Sequence, residues 1–212
     1  MELPTLARTR RSLHGVAEAV LAGPQFRAHQ DVRLRVTPGG FGTTRTPDLR
    51  VDGGTLVAGT ARIPLAGHTY ATLARAAGVE ASLLQHDVYA DGPDIHLDDL
   101  IELDPDAARH LIHCFALGDE ALHRLDPEAD RILWPEHFDV ASALNEINYG
   151  ISPGDSYLAE PYAYVGPWPV PQGEFWNAPF GAARLLSQLP DAGAVLAFFR
   201  QGQAEAGQHR TS

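Results

Sequence analysis

The residues best suited to chemistry in this 212-residue chain are His137, with Glu136 beside it, and Asp155 and Glu160 further along. An imidazole held by a carboxylate can act as a general base near neutral pH, and the same groups can hold a divalent metal. His137, Glu136 and Asp155 are the candidate catalytic residues; the sequence names no metal and no other cofactor. They lie in the stretch WPEHFDVASALNEINYGISPGDSYLAEPYAYVGPW, residues 134–168. All three tryptophans and four of the six tyrosines fall between Trp134 and Trp176.

Those rings suggest a wall. Tyr149, Tyr162, Tyr164, Trp168 and Trp176, with Glu160, form a candidate ligand-binding set, because aromatic side chains supply large contact area at small entropic cost. One reading is a protein that binds a small apolar or aromatic molecule near His137. The alternative is a metal- or His/carboxylate-dependent enzyme, hydrolase- or isomerase-like, using the same cleft. The bland alternative is that His137 and Asp155 tie strands together as satisfied buried polar groups.

Particular elements must bring these groups together. Residues 131–134 read as a strand, and Phe138, Val140, Ser142 and Leu144 alternate after it. Pro135 interrupts between the two runs and implies an edge or bulge that re-aims Glu136 and His137. Residues 149–155, with Pro153 and Gly154, have the composition of a turn. Residues 162–165 alternate rings with smaller side chains, as a strand with one aromatic face would.

The remainder supplies a scaffold. Residues 4–22 carry helical spacing that Gly23 and Pro24 are expected to end. Residues 31–37 alternate as a strand, 49–51 and 55–57 flank a hairpin at Gly53-Gly54, and 61–65 complete a meander. A short helix follows at 69–77. The acidic section 80–102 reads as solvated surface, since it lacks the ligand spacing of a calcium loop. Asp104 and Pro105 start a helix to about residue 125. His110 and His113 on that helix have metal-pair spacing, but they face away from its apolar side. Residues 181–189 read as a helix, a final apolar helix follows Pro190-Asp191, and the tail 201–212 reads as frayed.

The fold predicted is α+β, mainly antiparallel sheet with helices packed on one face, in a single domain over 1–212. Its parts are the helix and meander 4–78, the middle helix 104–125, the aromatic segment 131–168 and the C-terminal helices 180–203. A formal charge of −11 opposes a phosphate backbone, so nucleic acid is excluded as partner. The single cysteine, Cys114, rules out an intrachain disulfide and reads as a buried thiol. No apolar run is long enough to span a bilayer and no secretory leader is read, which points to a cytoplasmic protein. A homodimer is left open. No dinucleotide fingerprint, Walker loop, zincin motif or G-x-S-x-G elbow is read.

The strings WPEHFD, NYG-x-SPGD and EPYAYVGPW, with FWNAPFGA downstream, resemble a family of uncharacterised actinobacterial proteins. More distantly they are similar to a bacterial domain-of-unknown-function family with W-P-x-H-F-D, G-x-S-x-G-D and P-E-P-Y motifs. The resemblance covers roughly the C-terminal 80 residues. It implies no activity and assigns no catalytic residue.

Overall fold

The computed structural model describes residues 2–209 except His86; the last residues of the predicted frayed tail, 210–212, lie outside that range. The fold is α+β, and the described residues form ten strands whose ladders run antiparallel. The chain divides into two compact units, residues 1–113 with 133–138, and residues 114–132 with 139–212.

The first unit begins with α1 (Leu3–Gly15), which runs into a π-helical turn (Val16–Ala22) and then α2 (Gly23–His29). The helix therefore passes through Gly23-Pro24 instead of stopping there. In the π turn the Gly23 amide reaches back to the Glu18 carbonyl, and the wider winding makes room for Pro24, which has no amide hydrogen to satisfy. The helix ends about two turns later, at Gln30 in the left-handed conformation.

The sheet of this unit has the strand order β6-β1-β2-β3-β4-β5. Its strands are β1 (Leu34–Thr37), β2 (Gly40–Thr43), β3 (Leu49–Asp52), β4 (Thr55–Ala58), β5 (Ala61–Pro64) and β6 (Ile132–Trp134). The hairpin turns at Gly53, φ 60°, as its composition predicts. β2 has no counterpart among the predicted strands, because two of its four residues are glycine. Helix α3 (Tyr70–Ala76) follows, its start closed by a reciprocal Thr69–Thr72 capping box.

Between α3 and α4 (Pro105–Leu125) runs a long, acidic connection that α1 and the π turn hold in place. Thr9 Oγ1 accepts from the Asp104 amide at 3.1 Å, and Ser12 Oγ from the Glu102 amide at 3.0 Å. Arg11 donates to the Asp94 carbonyl and to Asp99 Oδ2. Glu18 Oε1 accepts from the Leu84 and Gln85 amides, both at 2.8 Å. Thr9, Ser12 and Glu18 are buried, so these bonds form where an unpaired amide would be costly. The predicted solvated surface is thus a tethered loop, with Leu84, Ile95 and Ile101 buried beneath it.

The second unit has the strand order β10-β9-β8-β7: β7 (Asp139–Leu144), β8 (Ile147–Ser152), β9 (Tyr162–Pro167) and β10 (Ala182–Leu185). In register, Val140 faces Ile151, which faces Ala163, and Ser142 faces Tyr149, which faces Val165. Helices close over this face. Gly118 of α4 lies against Val140 and Ile151, and Gly202 of α5 (Ala192–His209) against Val165. Cys114, in α4, is buried and its thiol is pushed up to about 12 by burial, which suits a structural thiol.

Three predictions about this unit need correction. Residues 201–209, read as part of a frayed tail, continue helix α5. Residues 149–152 are the last four of the six residues of strand β8, and the turn begins only after Ser152. Residues 182–185 are strand and 186–188 a short 3-10 turn, not the predicted helix 181–189. There β10 pairs with β9 from Ala182 opposite Val165 to Leu185 opposite Tyr162, so ladder hydrogen bonds outweigh the helical spacing of the leucines.

Candidate functional site

Pro135 ends β6 and the chain turns sharply, with the Phe138 amide donating to the Trp134 carbonyl at 2.8 Å. Phe138 has φ 54°, a left-handed conformation that costs an L-residue roughly 1–2 kcal/mol. Burial offsets it. The Phe138 ring is 1% exposed, stacks on His14 at 5.1 Å and meets Phe41 edge-on at 5.4 Å. The corner is pinned by that ring, and Glu136 and His137 project from it.

The third member comes from the acidic loop. His137 Nδ1 lies 3.9 Å from Asp91 Oδ2, and His137 Nε2 lies 3.9 Å from Glu136 Oε2. One ligand atom from each of Asp91, Glu136 and His137 lies within 4.8 Å of the others. Ligands about 2.1 Å from a common ion sit roughly 3–4 Å apart. His137 and Asp91 are exposed and Glu136 half-buried, so side-chain rotation suffices to close the difference.

Behind the corner lies His14, which the sequence reading passes over. Its Nε2 donates to the Pro135 carbonyl at 2.7 Å. Burial holds the imidazole down to about 4, and the charges of His137 and Arg10 act in the same direction, so His14 is neutral at pH 7. Glu18, one turn further on and fully buried, anchors the acidic loop. The signal for it was an acid inside the apolar run 16–22.

Asp155 belongs to the second unit and has its own partners. Its Oδ1 accepts from the Tyr157 and Leu158 amides at 2.8 and 3.1 Å, and its Oδ2 from Ser152 Oγ at 3.1 Å and Tyr162 Oη at 2.5 Å. Glu160 is exposed on the same loop. The structure brings His137 to Glu136 and Asp91, and brings Asp155 to Ser152 and Tyr162.

The candidate wall of rings serves several purposes. Tyr162 is buried, and burial followed by the Asp155 carboxylate raises its phenol above the usual range. Tyr164 donates to Asp139 Oδ2; burial, then the Asp139 charge, raises it well above the ordinary tyrosine value. Tyr149 is fully buried against Phe199, and burial pushes it up to about 12. Trp176 is buried and meets Phe175 edge-on at 4.9 Å. Trp168 is 81% exposed and lines no wall.

Residues 150–154, GISPG, do spell G-x-S-x-G, which the sequence reading does not register. The elbow is nonetheless missing. Ser152 ends an antiparallel strand and no helix follows it, whereas a nucleophile elbow needs a sharp strand-to-helix turn. His110 and His113 are exposed on α4 and belong to no group of three potential ligands among the described residues.

No protein-family model, no curated protein and no solved structure matches this chain. No helix among the described residues is long and apolar enough to cross a membrane.

Proposed function

We propose that the protein binds a divalent transition-metal ion through Asp91, Glu136 and His137. The observation that carries this reading is the convergence of one imidazole and two carboxylates from two separate chain segments, with candidate ligand atoms within 4.8 Å of one another. One nitrogen and two oxygens suit Zn²⁺, Mn²⁺ or Fe²⁺, and three protein ligands leave coordination positions for water or a substrate. When bound, such an ion polarises an oxygen-bearing substrate or acidifies a water. The protein's part is to fix the ligand set on a pinned corner and a tethered loop.

Tyr89 supports the reading. Its hydroxyl is shut off from solvent and has no hydrogen-bond partner among the described residues. Burial raises it far above its ordinary value, and the charges of Glu18 and Glu136 add to the effect. A buried donor without a protein partner is ordinarily met by water or ligand.

A second reading rests on the two 3.9 Å approaches to His137. An imidazole between two carboxylates is a general acid–base without any metal. Titration with Co²⁺, followed by visible absorption, separates the two. Metal binding predicts a saturable d–d band in the wild type that His137→Ala abolishes. No band at saturating Co²⁺, with a phosphate- or ester-cleaving activity that depends on His137, favours the acid–base reading.

A further inference from the structure

We propose that Glu18, carried on the π-helical turn Val16–Ala22, is the positioning residue that sets Asp91 opposite Glu136 and His137; the proposal rests on the metal reading of that site. Asp91 lies on a long connection, and a ligand on a free loop would lose most of its binding energy to ordering. Among the described residues, the bonds that tie the loop before Asp91 to the first helix come from the π turn. Glu18 Oε1 accepts from the Leu84 and Gln85 amides at 2.8 Å, and the Ala19 carbonyl accepts from the Ser82 amide at 2.9 Å. Beyond Asp91, Arg11 and Gln85 hold residue 94, Arg11 through its carbonyl and Gln85 through its amide.

The π winding explains how helix and loop are joined. An α-helix directs its carbonyls along its own axis to amides four residues on. A π turn shifts that pattern by a residue, and such turns recur at functional sites. Here the turn presents the Ala19 carbonyl and the buried Glu18 side chain to the same four-residue stretch of loop, 82–85. Two amide hydrogen bonds to one buried carboxyl oxygen are directional, so they fix residues 84 and 85 and hence where the chain departs toward Asp91. Close packing continues the contact, since a Cβ on Gly23 would lie 2.1 Å from the Ser82 carbonyl oxygen.

The test is a double-mutant cycle on Co²⁺ affinity, read with amide hydrogen exchange over residues 82–91. Glu18→Ala should weaken Co²⁺ binding at least tenfold and strip protection from the amides of residues 84 and 85, while Glu18→Gln, which keeps an acceptor oxygen, recovers most of both. Asp91→Ala should weaken binding similarly, and adding it to Glu18→Ala should weaken it no further, because a mispositioned ligand is already lost. Should Glu18→Ala fail to fold, Ser82→Pro removes the tether to the Ala19 carbonyl from the loop side and should weaken binding in the same way. Wild-type affinity in Glu18→Ala, with protection at 84 and 85 gone, overturns the positioning role and leaves the metal reading intact. Absence of Co²⁺ binding in the wild type overturns both.

Discussion

His14 donates a 2.7 Å hydrogen bond from Nε2 to the carbonyl oxygen of Pro135, which ties the first helix to the corner that presents Glu136 and His137. Burial holds its imidazole down to about 4, against 6.5 for an ordinary histidine. The unfolded chain therefore binds this proton more readily than the folded one. His14's contribution is fully present above about pH 6.5 and is lost as pH falls toward 4, by up to roughly 3 kcal/mol. Urea unfolding of the wild type and His14→Gln at pH 7 and pH 4.5 checks it. The variant should show the smaller loss of stability on acidification.

Gly150 stands opposite Tyr164 in the β8–β9 ladder, and a Cβ there would lie 2.5 Å from the tyrosine Cζ and Oη. The tyrosine ring covers the bare glycine on its way to Asp139. Gly150→Ala should therefore destabilise by about 2–3 kcal/mol, an overpacking cost, measured by chemical denaturation. Since the displaced ring also loses Asp139, Tyr164→Phe in the Gly150→Ala background should cost less than it does in the wild type.

Tyr164→Phe alone removes a buried donor from the Asp139 carboxylate and should cost about 2 kcal/mol. Chemical denaturation of the variant beside the wild type reads the loss.

Trp168 is 81% exposed, so Trp168→Ala should change stability by less than about 0.5 kcal/mol. A thermal-shift comparison decides. A large drop would mean that this ring packs against something in solution.

Much of the architecture is legible in the residues, for definite reasons. The alternation in 31–37 and 138–144 and the strand-like runs at 49–51 and 55–57 predict strands that do form, and Asp104-Pro105 marks the start of α4, where Asp104 Oδ1 does cap the Asp106 and Ala107 amides. The misread segments are those where tertiary partners override local signals. Gly40 and Gly42 look like turn residues but sit in β2, and Gly150 looks like a turn residue but lies beneath the Tyr164 ring. Leu185, Leu186 and Leu189 have helical spacing, yet the open edge of β9 draws residues 182–185 into the sheet.

The candidate site was half legible. Glu136 and His137 stand out because a proline precedes them between two strand patterns. Asp91 is one acid among many in a run that reads as solvated surface, and nothing in its own neighbourhood points to His137. Asp155 appears equally suited by composition, but its oxygens are taken by the turn it closes. Glu18 and His14 belong to a helix whose apolar spacing hides them, and only folding shows that they face the loop and the corner.

The proposed binding of one metal ion by Asp91, Glu136 and His137 is read by equilibrium dialysis against Zn²⁺ or Mn²⁺, with metal analysis of wild type and of a Glu136→Gln/His137→Ala double variant. One ion per chain in the wild type, lost in a double variant that keeps its fold, is the predicted result; equal metal content in the two proteins, or none in either, would contradict it.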